Sequence, residues 1–211
     1  MMSSHSRPLV VGIGGTIRAG STSERTLRFA LSAAADLGAE PLLLTAAELH
    51  LPAYRPGSSA RTARARRFVE ALRAAEGVLV ASPAYHGGMS GLLKNALDHA
   101  EDLRDDARPY LDGRAVGCIA TGAGWQGPAA TLAQMRGTAH ALRGWPTPLG
   151  VVVNSSQPCF EEAGVPVEHY RTQLRIMAGQ VVGFARLRMG AAALGRADLF
   201  RPAGVVQPTG Q

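Results

Sequence analysis

The segment GIGGTIRAGSTS, residues 12–23, combines residue types that suit the binding of an anionic group. Gly14 and Gly15 allow the backbone to approach a ligand closely, and Arg18 offers a delocalised cation that suits phosphate. Hydroxyl donors come from four neighbours: Thr16, Ser21, Thr22 and Ser23. The same residues could serve as a glycine turn and a helix N-cap. Because Arg18 lies among them and a helical pattern follows, the segment favours a phosphate site.

Two common phosphate-binding motifs do not fit this segment. No Lys-Ser or Lys-Thr pair follows the glycines, so it is not a Walker loop. A dinucleotide-binding fingerprint would need a third glycine where Ile17 stands, and an acidic residue at the end of the second strand. Glu48 comes too late in the chain for that role.

Two further loops are also rich in glycine. In SPAYHGGMSGLLKNALDHA, residues 82–100, Pro83 ends a strand, and the following glycines would let the backbone lie against a flat ligand. Lys94 and Asp98 lie four residues apart on the helix that follows and are predicted to pair. The third loop is TGAGWQGPA, residues 121–129, which holds Trp125.

The elements that position these loops alternate along the chain. Nearly continuous apolar runs predict five buried parallel strands: residues 8–13, 39–45, 77–82, 115–121 and 148–154. Helical patterns lie between and after them: residues 23–37, 60–76, 89–103, 128–143 and 165–190. This alternation predicts a doubly wound α/β sandwich with right-handed crossovers. In such a sheet ligands bind beyond the carboxyl ends of the strands, where the three loops lie.

Composition narrows the class of protein. A chain of 211 residues suits one domain with a full hydrophobic core. The net charge is +6, but nearly all basic residues are arginines spread over the chain, with Lys94 the single lysine. The densest basic run, residues 60–68, lacks interleaved aromatic residues, so a nucleic-acid partner is not expected. It is interpreted as a solvated or subunit-facing helix.

No apolar stretch approaches the roughly 20 residues of a membrane span, and the first residues lack the apolar core of a signal peptide. A cytoplasmic protein is therefore expected.

The spacing of Cys118 and Cys159 supports neither a disulfide framework nor a metal site, and Cys118 lies in a strand-like run that predicts burial. The predicted organisation is a flexible N-terminus over 1–7, a domain over 8–190, and an extension over 191–211 that is partly disordered or contacts another subunit.

The runs GTIRAGSTS and SPAYHGGMSGLLKNALD, together with the order of elements, resemble the NAD(P)H-dependent FMN reductases of the flavodoxin-like fold. The resemblance covers roughly residues 8–185. The second run carries most of it, through these matching residues: Pro83, Tyr85, Gly91, Leu93, Lys94, Asn95, Ala96, Leu97 and Asp98. The resemblance implies a three-layer α/β sandwich with a five-stranded parallel sheet of order 2-1-3-4-5 and helices on both faces.

The resemblance also implies which residues contact FMN. The phosphate set is Thr16, Arg18, Ser21 and Ser23, with Thr22 beside them. The isoalloxazine ring would be lined by Pro83, Ala84, Tyr85, His86 and Gly87, and its pyrimidine edge by Thr121, Gly122, Ala123 and Gly124. Family members often carry Asn in place of Ser23 and His86 and Glu in place of Ala84. His86 either tunes the flavin or touches a substrate, or is an ordinary loop histidine.

The function implied is hydride transfer from NADPH or NADH to FMN, which needs neither a catalytic side chain nor a metal. A homodimer or homotetramer is implied, with a flavin-dependent monooxygenase as a possible partner. A second interpretation is a quinone, azo or chromate reductase on the same scaffold. A third is a non-enzymatic electron carrier of the flavodoxin type, although such carriers are acidic around the flavin and this chain is basic.

Overall fold

A parallel sheet forms the centre of the computed structural model, which describes residues 7–58, 60–196 and 199. Its strands are β1 (Leu9–Gly14), β2 (Glu40–Leu44), β3 (Gly77–Pro83), β4 (Ala115–Gly122), β5 (Trp145–Pro146) and β6 (Val151–Asn154). The order is β2-β1-β3-β4-β5, and β6 also pairs with β4. The predicted order 2-1-3-4-5 is confirmed. The predictions for 1–7 and 191–211 fall largely outside the described residues and stay predictions.

Helices cover both faces of the sheet, as predicted. They are α1 (Thr22–Asp36), α2 (Ala46–Leu49), α3 (Ala63–Ala74), α4 (Gly91–Asp98), α5 (Gln126–Ala141) and α6 (Glu168–Ala193), with a 3₁₀ helix at His99–Leu103. One apolar layer holds Leu27 of α1 and Met177 of α6. The other holds Phe68 of α3, Leu93 of α4 and Met135 of α5. Every residue of β3 is buried, because helices shield it from both sides.

The predicted fifth strand, residues 148–154, is wrong in its extent. Two short strands, β5 and β6, pair with successive parts of β4 instead. Pro146 and Pro148 have no N–H to donate to a ladder, which interrupts the pairing. Between the strands, the Leu149 amide donates to Oε1 of Gln180 on α6, 3.1 Å away.

Helix α2 was not predicted, although its signal is present in the sequence. Glu48 Oε2 accepts hydrogen bonds from the amide and the hydroxyl of Thr45, both 3.1 Å away. This reciprocal arrangement is a capping box. Helix α6 begins and ends three residues later than predicted, and the predicted helix over 89–103 becomes α4 followed by the 3₁₀ helix. The predicted pair on α4 is confirmed, with Lys94 Nζ 2.6 Å from Asp98 Oδ1.

Arg114 is a buried cation at the amino-terminal end of β4, with 1 % of its surface exposed. Its guanidinium donates to the carbonyls of Ala75 at 2.9 Å, Arg73 at 2.8 Å, and Tyr110 and Asp112 at 3.2 Å each. Burial lowers the pKa of Arg114 to about 9, so the side chain is still charged at pH 7. Arg114 therefore links the segment that precedes β3 to the segment that precedes β4.

Replacing Arg114 with methionine should lower the free energy of unfolding by about 2–4 kcal/mol, because buried carbonyls lose their donors. The matched control is Arg104→Met, which removes an exposed ion pair with Glu101 and should cost about 1 kcal/mol or less. Urea unfolding of both variants measures the difference. Equal losses would show that the carbonyl contacts of Arg114 do not stabilise the fold.

Candidate functional site

The loops after β1, β3 and β4 surround one cleft of about 500 Å³ at the carboxyl edge of the sheet. Most of the residues predicted from the sequence line it: Thr16, Arg18, Ser21, Thr22, Ser23, Pro83, Ala84, Tyr85, Thr121, Gly122 and Ala123. Ser155, which follows β6, lines it as well and was not predicted. The cleft therefore lies where parallel sheets generally bind ligands.

Loop one, residues 15–21, leaves β1 through two glycines in conformations that favour glycine. A Cβ on Gly14 would lie 2.1 Å from the carbonyl oxygen of Ala81 in β3. Gly14 and Gly15 have φ angles of 148° and 99°, and the Gly15 amide donates to the same Ala81 oxygen at 3.3 Å. This close approach fixes loop one against the end of β3.

Helix α1 begins at the mouth of the cleft. Ser21 is its N-cap, and the Ser21 hydroxyl accepts from the Glu24 amide at 3.3 Å. The Ser21 and Ser23 hydroxyls lie 3.2 Å apart. The amides of Thr22 and Ser23, in the first turn, have no intrahelical acceptor. The helix therefore presents free N–H groups, hydroxyls and its positive dipole end to the cleft.

Arg18 and Glu24 set the charge of this end of the cleft. The carboxylate of Glu24 is bonded within the protein: Oε2 accepts from the Gly20 amide at 3.1 Å, and Oε1 pairs with Arg28 at 2.7 Å. Arg18 is exposed and its guanidinium has no hydrogen-bond or ion-pair partner among residues 7–58, 60–196 and 199. A free cation thus lies beside an end where the nearest carboxylate is already paired, which suits a dianion.

The side chains of Ser82 and Gln134 hold loop three, residues 84–90, by hydrogen bonds. The buried Ser82 hydroxyl donates to the Pro83 carbonyl at 2.8 Å and accepts from the Ser90 amide at 2.9 Å. Gln134 on α5 accepts from the Met89 amide at 2.8 Å. Hydrogen bonds within the protein therefore position the loop without a ligand.

The tip of loop three is a tight turn that carries His86 and Gly87. The amides and carbonyls of Tyr85 and Gly88 exchange two hydrogen bonds of 3.0 Å. His86 and Gly87 between them have φ angles of 53° and 79°, the pattern of a type I′ turn. Both residues lie outside the lining of the cleft, and His86 is exposed. Their contact with a flavin stays a prediction.

Loop four, residues 123–125, is positioned by a residue that the sequence analysis missed. Asn154 is buried, and its Oδ1 accepts from the amides of Gly124 at 2.8 Å and Ser156 at 3.0 Å. Gly124 thus holds the loop and does not line the cleft. The signal for this residue is the polar run NSS, which begins at the last residue of the apolar strand β6, at the same edge of the sheet.

The two cysteines do not contribute a nucleophile. Both are free and buried. Burial raises the pKa of the Cys118 thiol to about 12, a shift that the charge of Arg136 only partly opposes. Burial also raises the pKa of Cys159. Both thiols are therefore protonated at neutral pH.

Replacing His86 with asparagine should raise the free energy of unfolding by up to about 1 kcal/mol, because asparagine adopts positive φ more readily than histidine does. His86→Val is the opposing control and should lower it, since a β-branched residue is strained at this φ. Urea unfolding reports both changes. A loss of stability in His86→Asn would mean that the imidazole makes contacts that stabilise the turn.

Comparisons with known proteins agree with this geometry. The family model for the NADPH-dependent FMN reductases matches residues 8–158. An NAD(P)H-dependent FMN reductase of Pseudomonas aeruginosa is 29 % identical over 164 residues, which cover 74 % of this chain and 82 % of that protein. An FMN-dependent NADPH-azoreductase of Staphylococcus aureus is 30 % identical over 118 residues, covering 54 % of this chain and 59 % of the relative.

Solved structures with the same fold include an oxidoreductase from Corynebacterium diphtheriae, with a TM-score of 0.66 and 19 % identity over 87 % of this chain and 99 % of that one. The apo form of an NADH:FMN oxidoreductase has a TM-score of 0.64 and 21 % identity, covering 85 % of this chain and 89 % of that one. Within the described residues, no helix is both long and apolar enough to cross a membrane. With its family model matching from β1 past β6, this chain belongs to the NADPH-dependent FMN reductase family and is an NAD(P)H-dependent flavin oxidoreductase.

Proposed function

We propose that this chain binds FMN in the cleft formed by loops one, three and four, and reduces it with NADPH or NADH. The observation that carries the proposal is the chemistry of the cleft's lining. One end offers free amides, hydroxyls and a cation, while the other is formed by the residues at the ends of β3 and β4, from Pro83 to Tyr85 and from Thr121 to Ala123. FMN has the same division, since it joins a phosphate dianion to a planar ring.

The phosphate is assigned to the amides of Thr22 and Ser23 and the hydroxyls of Ser21 and Ser23, with Arg18 as the neutralising cation. Hydrogen bonds from charged or dipolar donors to phosphate are among the stronger ones in proteins. Ser21 and Ser23 are 3 % and 1 % exposed, so their hydroxyls are shielded from bulk water. This shielding strengthens their attraction to a phosphate oxygen.

The planar ring is assigned to the other end of the cleft, away from the phosphate. Pro83, Ala84 and Tyr85 lie beside Thr121 and its neighbours, because Pro83 pairs in register with Thr121 at the ends of β3 and β4. The Ala84 amide donates to the Thr121 carbonyl at 2.7 Å, which closes loop three onto β4. The residues at the ends of β3 and β4 are thereby fixed relative to each other.

Few donors remain for the polar edge of the ring. The amides of Ala84, Tyr85 and Gly124 are already bonded within the protein. Among the described residues, the Thr121 hydroxyl and the Ala123 amide have no hydrogen-bond partner. We therefore assign to these two groups the task of stabilising negative charge on the pyrimidine edge.

When bound, FMN supplies the redox chemistry, because its ring accepts hydride from a reduced nicotinamide and passes electrons to an acceptor. The residues of this chain orient the ring and limit the access of water. Large apolar side chains surround the mouth of the cleft: Ile17 is 80 %, Tyr85 55 % and Trp125 51 % exposed. Such an apolar rim supports a site that a second subunit completes, in a homodimer or homotetramer.

A cytoplasmic location and a flavin-dependent monooxygenase as the recipient of reduced FMN are further parts of the proposal. A second candidate function is favoured by the relatives named FMN-dependent NADPH-azoreductases, which are 27–30 % identical to this chain. In that case FMN stays bound and an azo compound or quinone accepts the electrons.

The proposal is tested by anaerobic titration of the FMN-loaded protein with NADPH and NADH, followed by the visible absorbance of the flavin. Stoichiometric bleaching without another enzyme is expected and would exclude a passive electron carrier. Steady-state oxidation of NAD(P)H with free FMN, compared with a quinone or an azo dye, then separates the two reductases. Turnover with the quinone or the azo dye but not with FMN would contradict a free-flavin reductase.

Replacing Arg18 with alanine should weaken FMN binding about 10- to 100-fold, because one charge-assisted contact with phosphate is lost. His86→Asn, which lies outside the lining, should change the affinity by less. Fluorescence quenching of FMN measures both dissociation constants. If His86→Asn weakened FMN binding more than Arg18→Ala did, the assignment of the phosphate to the end of the cleft beside Arg18 would be wrong.

A further inference from the structure

A second groove lies outside the FMN cleft, between α2 and α3 beyond the carboxyl end of β2. Its volume is about 640 Å³, and it is formed entirely by described residues. The residues that line it are Leu44, Ala47, Glu48, His50, Pro52, Thr62, Ala63, Arg64, Arg67 and Phe68. None of them is assigned to FMN, so the groove has no role in the proposed function.

The groove has an apolar floor and a basic rim. Leu44 and Phe68 form the floor and are 5 % and 1 % exposed. Arg64 and Arg67 are three residues apart on α3, so their side chains lie on one face of that helix. Both are exposed; Arg64 donates only to the His50 carbonyl, at 3.2 Å, and Arg67 has no hydrogen-bond or ion-pair partner among the described residues.

The carboxylate in the groove, that of Glu48, is already engaged. Its Oε2 accepts hydrogen bonds from the amide and the hydroxyl of Thr45. Burial alone would raise the pKa of Glu48, but hydrogen bonds from its own amide and from Thr45, with the charge of Arg67, lower it overall. Glu48 is therefore ionised, and the charges of its carboxylate and of the two arginine side chains sum to +1.

One wall of the groove is held by the helix that follows loop three. Nδ2 of Asn95 donates to the Pro52 carbonyl at 3.1 Å, and Nε2 of His99 bonds to the same oxygen at 3.1 Å. Asn95 Oδ1 also accepts from the Tyr54 amide at 2.9 Å. The wall formed by Pro52 is therefore rigid and tied to the helix beside the FMN cleft.

The groove is within reach of that cleft. Leu44 at the end of β2 is in register with Ile13, two residues before loop one begins at Gly15. From β2 to β4, where Thr121 lies, there are three strand spacings, or about 14 Å. An extended dinucleotide with its nicotinamide at the flavin end of the cleft is longer than this.

We propose that this groove binds the adenosine 2′-phosphate end of NADPH, with the base against the exposed apolar residues Ala47, Pro52 and Ala63 and the phosphate between Arg64 and Arg67. This inference rests on the proposed function and adds a choice between the two nicotinamides. The guanidiniums suit a phosphate monoester, which NADPH carries on its adenosine ribose and NADH lacks. The groove thereby makes the enzyme prefer NADPH.

The test compares Arg64→Ala and Arg67→Ala with the control Arg66→Ala. The control removes the same charge from the same helix, but from a residue that lies outside the groove and donates to the Arg61 carbonyl. Calorimetry of the FMN-loaded protein measures the binding of adenosine 2′,5′-bisphosphate and of 5′-AMP. Steady-state kinetics measure KM for NADPH and NADH.

We expect the wild-type protein to bind the bisphosphate at least 10-fold more tightly than 5′-AMP. Each groove variant should weaken bisphosphate binding and raise KM for NADPH about 10- to 100-fold, with KM for NADH unchanged. Arg66→Ala should leave all four values within about 2-fold of the wild type. Equal effects of the three variants, or none, would overturn the inference.

The experiment distinguishes a failure of the groove assignment from a failure of the proposed function. If NADPH and NADH reduce bound FMN equally well and the bisphosphate has no advantage over 5′-AMP, the function stands and the groove assignment is wrong. If neither nicotinamide reduces FMN, yet bisphosphate binding depends on Arg64 and Arg67, the groove stands as a phosphate site and the proposed function fails.

Discussion

The contact between Gly14 and Ala81 is the constraint on which the site depends. The backbone of β1 passes so close to the Ala81 carbonyl that any side chain at 14 would overlap it. This contact brings the end of β1 against the end of β3, and the Gly15 amide bonds to the same oxygen. Loop one must then turn towards the start of α1, so the free amides of that helix face the residues that follow β3. A site for one elongated ligand results.

Hydrogen bonding within the loops decides where a ligand can bind. Most polar groups around the cleft are already paired: Ser82 holds loop three, Asn154 holds loop four, and Glu24 holds the Gly20 amide. The donors left over are concentrated at the two ends of the cleft, in the first turn of α1 and around Thr121. Since unpaired donors near a low-dielectric surface are costly, a bound anion and a polar ring edge would offset this cost. The arrangement is set before binding, so little conformational entropy is lost on association.

Local patterns were sufficient for the layered fold, the phosphate loop and the edge of the sheet where the cleft lies, whereas the strand order and the residues lining the ring came from the family resemblance. Apolar runs marked the strands, and glycine-rich loops at one edge of the sheet marked the ligand side. What the patterns missed depends on contacts distant in sequence. The break between β5 and β6 involves Gln180 of α6, and the role of Asn154 exists only because β6 ends beside loop four. The groove between α2 and α3 likewise required knowing where Pro52 is held.

The most direct measurement is a crystal structure of the protein with FMN. The account predicts the phosphate within hydrogen-bond distance of the Thr22 and Ser23 amides, with the Arg18 guanidinium beside it and the ring against Pro83 and Thr121. A phosphate located elsewhere, or a cleft that stays empty at saturating FMN while the protein is folded, would contradict it.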